Sequence, residues 1–422
     1  MDTIFQILKP KTKKPEISLD YIDGSSERDE MKVGKTSPLI QMSEHTWKDD
    51  AISSFQLKYG DEMLPELDIV IKDKNGIIEN NISNKIDTLD VFIGADNVDF
   101  EPIKMTFLIT ESEKLDNGEY SLSCEVFIKN IDTKLIKNYS GSSFEVLLEL
   151  CKELGIGFAS NITSTNDNQT WLRVSQSTKE FMSEIALHSW NSEKGCIKIW
   201  IDPYYCLNVF DINESIKVEK EEFDKTSEVN LSKSFNDHKI PVLADMILSN
   251  HKIKVGTANY IDKYKETDKR GSIEKEIGFE RLIKTHDIDN NIYHEYVVQH
   301  EIESEKIERS GDNLRSTYVG FTSINTHRNY NHARVQNIIN KMVYESKGLV
   351  ITQNNLNAAL YCGIKIPVLL INNNQNNSTM SGDQNESGMN EQISGDYIIS
   401  EITFSYSKKV YSTISNLFFV KN

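Results

Sequence analysis

Apolar and polar residues alternate along much of the chain, and this pattern predicts antiparallel β-strands. Between residues 38 and 137 the alternating apolar positions include Val91, Ile93, Phe107 and Ile109. Turn signals at Asp73 to Gly76 and at Asp116 to Gly118 stand between these runs, as antiparallel hairpins require. We therefore predict a β domain over residues 38–137, completed by residues 207–240.

A helical pattern replaces the alternation after residue 138. In GSSFEVLLELCKELGIG, Ser142 and Glu145 form a capping box, apolar residues recur on one helical face, and Gly155 suits a left-handed C-cap. A second capping box, Ser177 and Glu180, opens a helix over 178–190. CIKIWIDPYYCLNVFDI then predicts two strands joined by a turn. Residues 138–206 are thus predicted to form a small α/β insert domain.

Strand-like runs resume near residue 241, and we predict a second β domain over 241–422. It contains a helix over 332–347 with Asn331 as N-cap and Gly348 at its end. Its last hairpin has the arms GIKIPVLLI and DYIISEITFSYS, with inward positions at Ile398, Ile402, Phe404 and Tyr406. The Asn-rich tract 372–395 between the arms predicts a flexible loop, and the charged residues 1–37 predict an N-terminal arm outside the core.

The composition restricts the classes of function. The net charge of -17 opposes binding to nucleic acid or to an anionic membrane surface. Five scattered cysteines without a CxxC pair argue against a disulfide framework or structural zinc, and predict reduced, buried thiols. No stretch reaches the ~20 apolar residues of a transmembrane helix. We therefore expect a protein made in the cytoplasm, without a membrane-spanning segment.

One stretch imitates a catalytic motif. HEYVVQHE at 294–301 contains two histidines and two glutamates, but its histidines are six apart, whereas a zinc peptidase needs His-Glu-x-x-His on a helix. Six positions turn the second imidazole roughly 240° around a helix, or place it ~20 Å away along a strand. We interpret the stretch as part of a strand, DIDNN at 287–291 as a turn, and Cys151 as a core thiol. The sequence predicts no catalytic, cofactor-binding or metal-binding residue.

The order of these segments resembles the central baseplate hub proteins of contractile-tailed bacteriophages. The stretch SFEVLLELCKELGIGFASN to DNQTWLRVSQSTKEFMSEIALHSW is similar to the α/β insert of that family. Upstream, ISSFQLKYGDEMLPELDIVIKD and DTLDVFIGADNVDFEPIKMTFLITE resemble its opening barrel domain, which the hub portion of type VI secretion spike proteins shares. Downstream, GSIEKEIGFERLIKTHDID and the closing hairpin also fit, so the resemblance covers most of residues 50–420.

The resemblance implies a fold and a role. The fold class is α+β, mainly antiparallel β, with two tail-tube-like β-barrel domains and the small α/β insert. The role is that of a structural virion protein without enzymatic activity or cofactor, located in the tail baseplate. Three copies would form a homotrimeric hub that joins a threefold spike below to a tail tube or tube-initiator protein above. A tape-measure protein or DNA would pass through its acidic channel without specific binding.

Eight residues are candidates for the core and assembly strands of the tube-like domains: Val91, Ile93, Phe107, Ile109, Ile398, Ile402, Phe404 and Tyr406. Two other classes of function remain open at this stage. A baseplate-associated cell-wall hydrolase or peptidase has HEYVVQHE as its only support. A tail-fibre or adhesin-like binding protein would use the Asn-rich tract, although adhesive β proteins usually contain repeats and this sequence has none.

Overall fold

The computed structural model of the protein describes residues 5–12, 14–15, 37–73, 75–83, 87–94, 102–217, 247–249, 259–269, 271, 280–299, 316–357, 360–370 and 393–420. Its strands up to the insert are β1 (Phe5–Leu8), β2 (Leu39–Met42), β3 (His45–Trp47), β4 (Ile52–Tyr59), β5 (Glu66–Lys72), β6 (Thr88–Ile93), β7 (Ile103–Lys114) and β8 (Glu119–Val126). The next are β9 (Leu135–Gly141), β10 (Gly157–Ser160), β11 (Gln169–Gln176), β12 (Ile197–Ile201) and β13 (Cys206–Asp211).

The remaining strands are β14 (Ile247–Ser249), β15 (Asn259–Tyr260), β16 (Lys263–Asp268), β17 (Glu280–Asp287), β18 (Ile292–Gln299), β19 (Ser316–Thr322), β20 (Lys347–Gln353), β21 (Lys365–Leu370), β22 (Gly395–Ser407) and β23 (Val410–Val420). The α-helices are α1 (Ile77–Ser83), α2 (Ser143–Leu154), α3 (Thr178–His188), α4 (Ile212–Lys217) and α5 (Tyr330–Tyr344). Antiparallel pairing dominates, which confirms the predicted α+β class that is mainly antiparallel β.

One sheet of 14 strands forms the body of the molecule. Its order is β15-β14-β21-β22-β4-β5-β8-β7-β6-β2-β3, and β23, β20 and β16 extend from the other side of β22. The first residues of β22 pair with β21 and its last residues with β4. The strands of the two expected β domains therefore meet in one open sheet, and no sheet in the described ranges closes into a barrel.

Alternation determines which side chains enter the core of this sheet. In β5 the side chains of Leu67, Ile69 and Ile71 are buried, and their neighbours Glu66 and Asp68 are exposed. Each apolar side chain of this size contributes roughly 1.5–3 kcal/mol when it is removed from water. The period of two therefore fixes the register of the strands as well as their faces.

Both predicted turns form, but only one closes a hairpin. The Gly76 N–H donates to the Asp73 carbonyl at 3.4 Å, and the Asp73 carboxylate accepts from the N–H groups of Ile77 and Ile78 at 3.0 and 2.7 Å, so this turn leads into α1. Consequently β5 pairs with β4 and β8 and makes no hairpin with β6. The turn at Asp116 to Gly118 does join β7 to β8 as predicted, with Asn117 at φ 69°.

The insert follows its sequence pattern closely. Both capping boxes are formed, and Gly155 ends α2 in the left-handed conformation with φ 75°. Helix α3 ends at His188, two residues before the predicted boundary. Strands β12 and β13 are antiparallel, as predicted, and belong to a four-stranded sheet of order β1-β10-β13-β12.

This small sheet corrects two predicted boundaries. Part of the predicted N-terminal arm, residues 5–8, forms β1 and pairs with β10, while Lys11 and Thr12 donate backbone hydrogen bonds to the Gly155 carbonyl. Gly157 allows this approach, because a Cβ there would lie 3.0 Å from a side-chain carbon of Pro10. Residues 207–211, expected to complete the first β domain, lie in β13, and residues 218–240 are outside the described ranges.

The helix predicted over 332–347 is α5, which begins and ends earlier. Asn329 and not Asn331 is its N-cap, since Asn331 lies inside the helix and its amide donates to the Phe321 carbonyl at 3.2 Å. Gly348 lies in β20 and not at the helix end. A Cβ there would lie 2.2 Å from the Leu417 carbonyl oxygen, so the position in the sheet requires glycine.

The closing hairpin has one more strand than predicted. The arms β21 and β22 pair as expected, but β22 also pairs along its length with β23. The sequence pattern does not predict β23, because two of its inward positions, Thr413 and Ser415, are polar although they are fully buried. The hydroxyl of Thr413 compensates by donating to the Asn355 carbonyl at 2.7 Å. Most of the predicted flexible loop, residues 372–392, lies outside the described residues.

Candidate assembly surfaces

Helix α5 presents an apolar side to a sheet of three strands. Val335, Ile339 and Val343 are buried against Ile283 of β17 and Val298 of β18. In this sheet β17 lies centrally, antiparallel to β18 and parallel to β19. This apolar side of α5 covers the inner face of β17–β18–β19.

Another side of α5 carries amides that hold the end of α3. The Asn337 side-chain nitrogen lies 3.3, 3.0 and 2.9 Å from the carbonyl oxygens of Ala186, Leu187 and Ser189, and its oxygen accepts from the Ile197 N–H at 3.1 Å. A helix leaves its last carbonyl groups without partners inside the helix. Asn337 supplies such partners, and we name Gln336, Asn337 and Asn340 the amide clamp, because their side chains bind backbone groups at the end of α3 and in the loop that follows it.

The other two clamp residues bind the loop after α3. The Gln336 amide donates to the carbonyls of Ser192 and Gly195, both at 2.9 Å, and the Asn340 amide donates to Gly195 at 2.9 Å. All three clamp residues are buried, which raises the cost of losing any of these bonds. The clamp is not among the residues predicted from the sequence, although three amide residues spaced i, i+1, i+4 on one helix are a usable signal.

A buried histidine strengthens the same junction. The His188 Nδ1 donates to the Tyr330 carbonyl at 2.9 Å, and its ring stacks on the Tyr330 ring with centroids 3.6 Å apart. Its Nε2 lies 3.0 Å from a carboxylate oxygen of Glu184, and this hydrogen bond is the main reason that the pKa of Glu184 is lowered. The His327 Nε2 donates to the His188 carbonyl at 3.0 Å. His188 therefore links α3 to α5 and has no substrate-facing surface.

The outer face of β17–β18–β19 carries apolar side chains that none of the described elements covers. Alternation turns Val319 and Phe321 of β19 outward, and they are 73% and 63% exposed. Leu282, Tyr293 and Val297 point to the same side. We name these five residues the sheet face. Its Lys284 and Glu295 neutralise each other, with nitrogen and oxygen 3.2 Å apart.

A second apolar face lies on the two-stranded ribbon of β9 and β11. Trp171 and Tyr139 point inward, and the Tyr139 ring lies 5.6 Å from the Phe181 ring of α3. Ile136, Leu172 and Val174 point outward and are 81%, 62% and 63% exposed. We name these three residues the ribbon face. Exposed apolar surface concentrated in this way is typical of a protein-binding site.

The eight residues proposed from the sequence lie elsewhere. Ile109 is partly buried. The other seven are buried in the core of the large sheet, and they are Val91, Ile93, Phe107, Ile398, Ile402, Phe404 and Tyr406. They lie on β6, β7 and β22, and β22 does not pair with the other two. Their side chains contact the core of the chain itself. Any role in assembly would therefore come from the way these side chains position the backbone of their strands.

The stretches that imitate catalytic or metal-binding motifs lie in ordinary strands and turns, and the cysteines are buried. HEYVVQ lies on β18, as predicted, and residues 300 and 301 are outside the described ranges. DIDNN forms the turn between β17 and β18, with the Asp287 carboxylate accepting from the Asp289 and Asn290 N–H groups. All five cysteines are buried and free, and burial raises the pKa of Cys151 well above its usual range. Within the described ranges no cluster of His, Cys, Asp and Glu is arranged to hold a metal ion.

The chain has the fold of bacteriophage tail proteins. A tail protein from Neisseria meningitidis aligns with 91% of this chain and 96% of its own length, with a TM-score of 0.50 and 10% sequence identity. The 43 kDa tail protein of prophage MuSo2 from Shewanella oneidensis aligns with 90% of this chain and 98% of its own, also with a TM-score of 0.50 and 10% identity. A component of the type VI secretion system of E. coli gives a TM-score of 0.42.

Sequence comparison alone does not reach these proteins, since no protein family and no curated protein matches the chain. At 10% identity the likeness establishes the fold, and it confirms at that level the tail-protein resemblance seen in the sequence. None of the helices in the described ranges is both long enough and apolar enough to cross a membrane.

Proposed function

We propose that the protein is a structural component of a phage tail, the trimeric central hub of a baseplate. In this role three copies form a ring that joins a threefold spike to the sixfold tail tube. The observation that carries the proposal is the alignment with tail proteins over nine-tenths of this chain and nearly all of theirs. A match of that extent covers the insert as well as both groups of β-strands.

The arrangement of strands supports an adaptor between different symmetries. Each subunit contributes two groups of β-strands, one from residues 38–137 and one from residues 241–422, which β22 and β4 join edge to edge. We propose that these groups are the two tail-tube-like units of the hub and that residues 138–206 are its insert. Three subunits would then present six similar units to a sixfold tube and three identical faces to the spike.

The site chemistry supports a structural role over an enzymatic one. Buried polar residues such as Asn337 and His188 bind backbone groups of the protein itself. Most of the highly exposed large apolar side chains in the described ranges lie on two small sheets, as expected for a protein that binds other proteins. Neither feature provides a nucleophile or a general base beside an open cleft.

We also propose that the acidic character serves the channel of the ring. A net charge of -17 would let DNA or an acidic tape-measure protein pass an acidic wall without binding to it. The electrostatic potential of an experimentally determined ring tests this point. An acidic lumen is expected, and a lumen lined by lysine and arginine would contradict it.

Immunogold electron microscopy tests the location. An antibody raised against the purified chain is applied to tail particles isolated from cells that encode it. The hub role predicts gold at the baseplate end of each tail, between the spike and the tube. Label along the fibres would favour an adhesin. Particles that contain the chain by mass spectrometry but bind no antibody would indicate that its epitopes are buried. Baseplates opened with detergent would then be labelled to locate the chain.

A further inference from the structure

We infer that the ribbon face of one copy binds the sheet face of the next copy, head to tail. The inference rests on the proposed ring and names the surfaces that close it. The ribbon face is Ile136, Leu172 and Val174, and the sheet face is Leu282, Tyr293, Val297, Val319 and Phe321.

Symmetry requires two different contact surfaces. A patch that binds its own copy generates a twofold dimer, whereas a closed ring with an odd number of subunits needs two distinct patches that bind each other. The described part of the chain includes two apolar faces that no described element covers, and they are built from different elements: β9 with β11, and β17 with β18 and β19. Two different faces of this kind are what the subunit contact of a threefold ring needs.

Charge favours a second copy at these faces. Two copies with a net charge of -17 each repel one another, so they associate most easily where the surface carries no net charge. On the ribbon, the paired outward positions are Leu172 with Asn138 and Val174 with Ile136, all uncharged. On the sheet face, Lys284 opposes Glu295, and their charges cancel. A strongly basic or strongly acidic partner would find no complementary charge on either face.

Both faces are rigidly supported, which lowers the entropy cost of binding. The ribbon packs on α3 through Tyr139, and the three-stranded sheet packs on α5 through Ile283. The amide clamp holds α3 and α5 together. At the border of the two faces, the Thr170 N–H donates to the Asn325 carbonyl at 3.1 Å. The two faces therefore keep a fixed relative orientation, as ring closure requires.

The experiment places one positive charge in each face separately. Phe321→Lys changes the sheet face, and Leu172→Lys changes the ribbon face. Val410→Lys is the matched control, because Val410 is also an exposed strand residue, 53% accessible, but lies on β23 away from both faces. Each variant faces solvent in the single chain, so circular dichroism should show an unchanged fold. Mass photometry and sedimentation velocity then give the mass of each variant and of equimolar mixtures.

Wild-type and control proteins are expected near 145 kDa, three times the chain mass of 48.3 kDa. Each face variant alone should be a monomer, with association weakened roughly 30-fold or more, as for an interface hot spot. The mixture of the two should give a dimer near 97 kDa and no ring, because only one intact contact remains per pair.

Three results would overturn the inference, and they separate it from the proposed function. Face variants that keep the wild-type mass would place the contact elsewhere and leave the ring standing. Face variants that each form dimers alone would show self-binding faces. A wild-type protein whose mass stays at 48.3 kDa up to 100 µM would contradict both the proposed contact and the proposal that the chain forms a ring by itself.

Discussion

Replacing Asn337 by alanine should loosen the junction between α3 and α5. The substitution removes two N–H donors and one acceptor from a buried position where they serve the carbonyls of Leu187 and Ser189 and the N–H of Ile197. Each such bond contributes about 1 kcal/mol net, so we expect a loss of about 3 kcal/mol. Because 1.4 kcal/mol corresponds to a factor of ten, local opening should become roughly 100-fold more frequent.

Hydrogen exchange measured by mass spectrometry reports this opening directly. Peptides that cover the last turn of α3 and the whole of α5 should exchange faster, and peptides from β4 and β5 should not change. Asn340→Ala is the matched control, since it removes one hydrogen bond, to Gly195, and should cost about 1 kcal/mol. Asn337→Asp should be worse than Asn337→Ala, because it turns an oxygen toward the carbonyls. Equal exchange in the Asn337 and Asn340 alanine variants would refute the larger contribution assigned here to Asn337.

Three further predictions concern pH, thiols and packing. Burial lowers the pKa of His327 below 6.5, so the unfolded chain takes up its proton first and stability should fall as pH drops below 6.5. The lowered pKa of Glu184 extends this loss below pH 4.5; a melting temperature that is flat from pH 8 to 5 would contradict the first effect, and one that is flat from pH 5 to 3 would contradict the second. Burial raises the pKa of Cys124 to about 12, and all five cysteines are buried, so a thiol reagent at pH 8 should label none of them until denaturant is added. Gly348→Ala should destabilise by roughly 1–3 kcal/mol in thermal melts, because the new methyl group meets the Leu417 carbonyl; an unchanged melt would show that β20 and β23 can separate.

Local signals in the sequence predicted the insert well. Both capping boxes are reciprocal pairs three residues apart, and Gly155 is the residue type that a left-handed cap prefers, so the bounds of α2 depend on neighbours in the chain. The antiparallel strands around residues 202–205 are local for the same reason. Such elements can be predicted from the sequence because their bounds depend on few contacts with distant residues.

The pairing of strands that are distant in the chain could not be predicted from local signals. The N-terminal strand β1 pairs with β10, about 150 residues away, and its own four residues do not indicate which strand it pairs with. Strand β22 pairs with β4 at one end and β21 at the other, so the sequence pattern of two separate β domains does not reveal that they share a sheet. Asp73 both forms the predicted turn and caps α1, and the sequence does not reveal that the turn leads into a helix and not into a hairpin with β6.

The candidate surfaces were missed for a related reason. The alternation in β18 and β19 identifies two faces of each strand, but the packing of α5 on one of them determines which face remains exposed. The amide clamp was not predicted because helix patterns are usually interpreted from apolar residues, while Gln336, Asn337 and Asn340 bind backbone groups at the end of α3 and in the loop after it.

Electron microscopy of the purified protein tests the hub proposal most directly. Class averages of particles in negative stain, at a concentration where the mass is known, should show a threefold or pseudo-sixfold ring with a central hole. Compact particles without rotational symmetry, both alone and after mixing with purified tail tube and spike, would contradict the proposal that this chain is a baseplate hub.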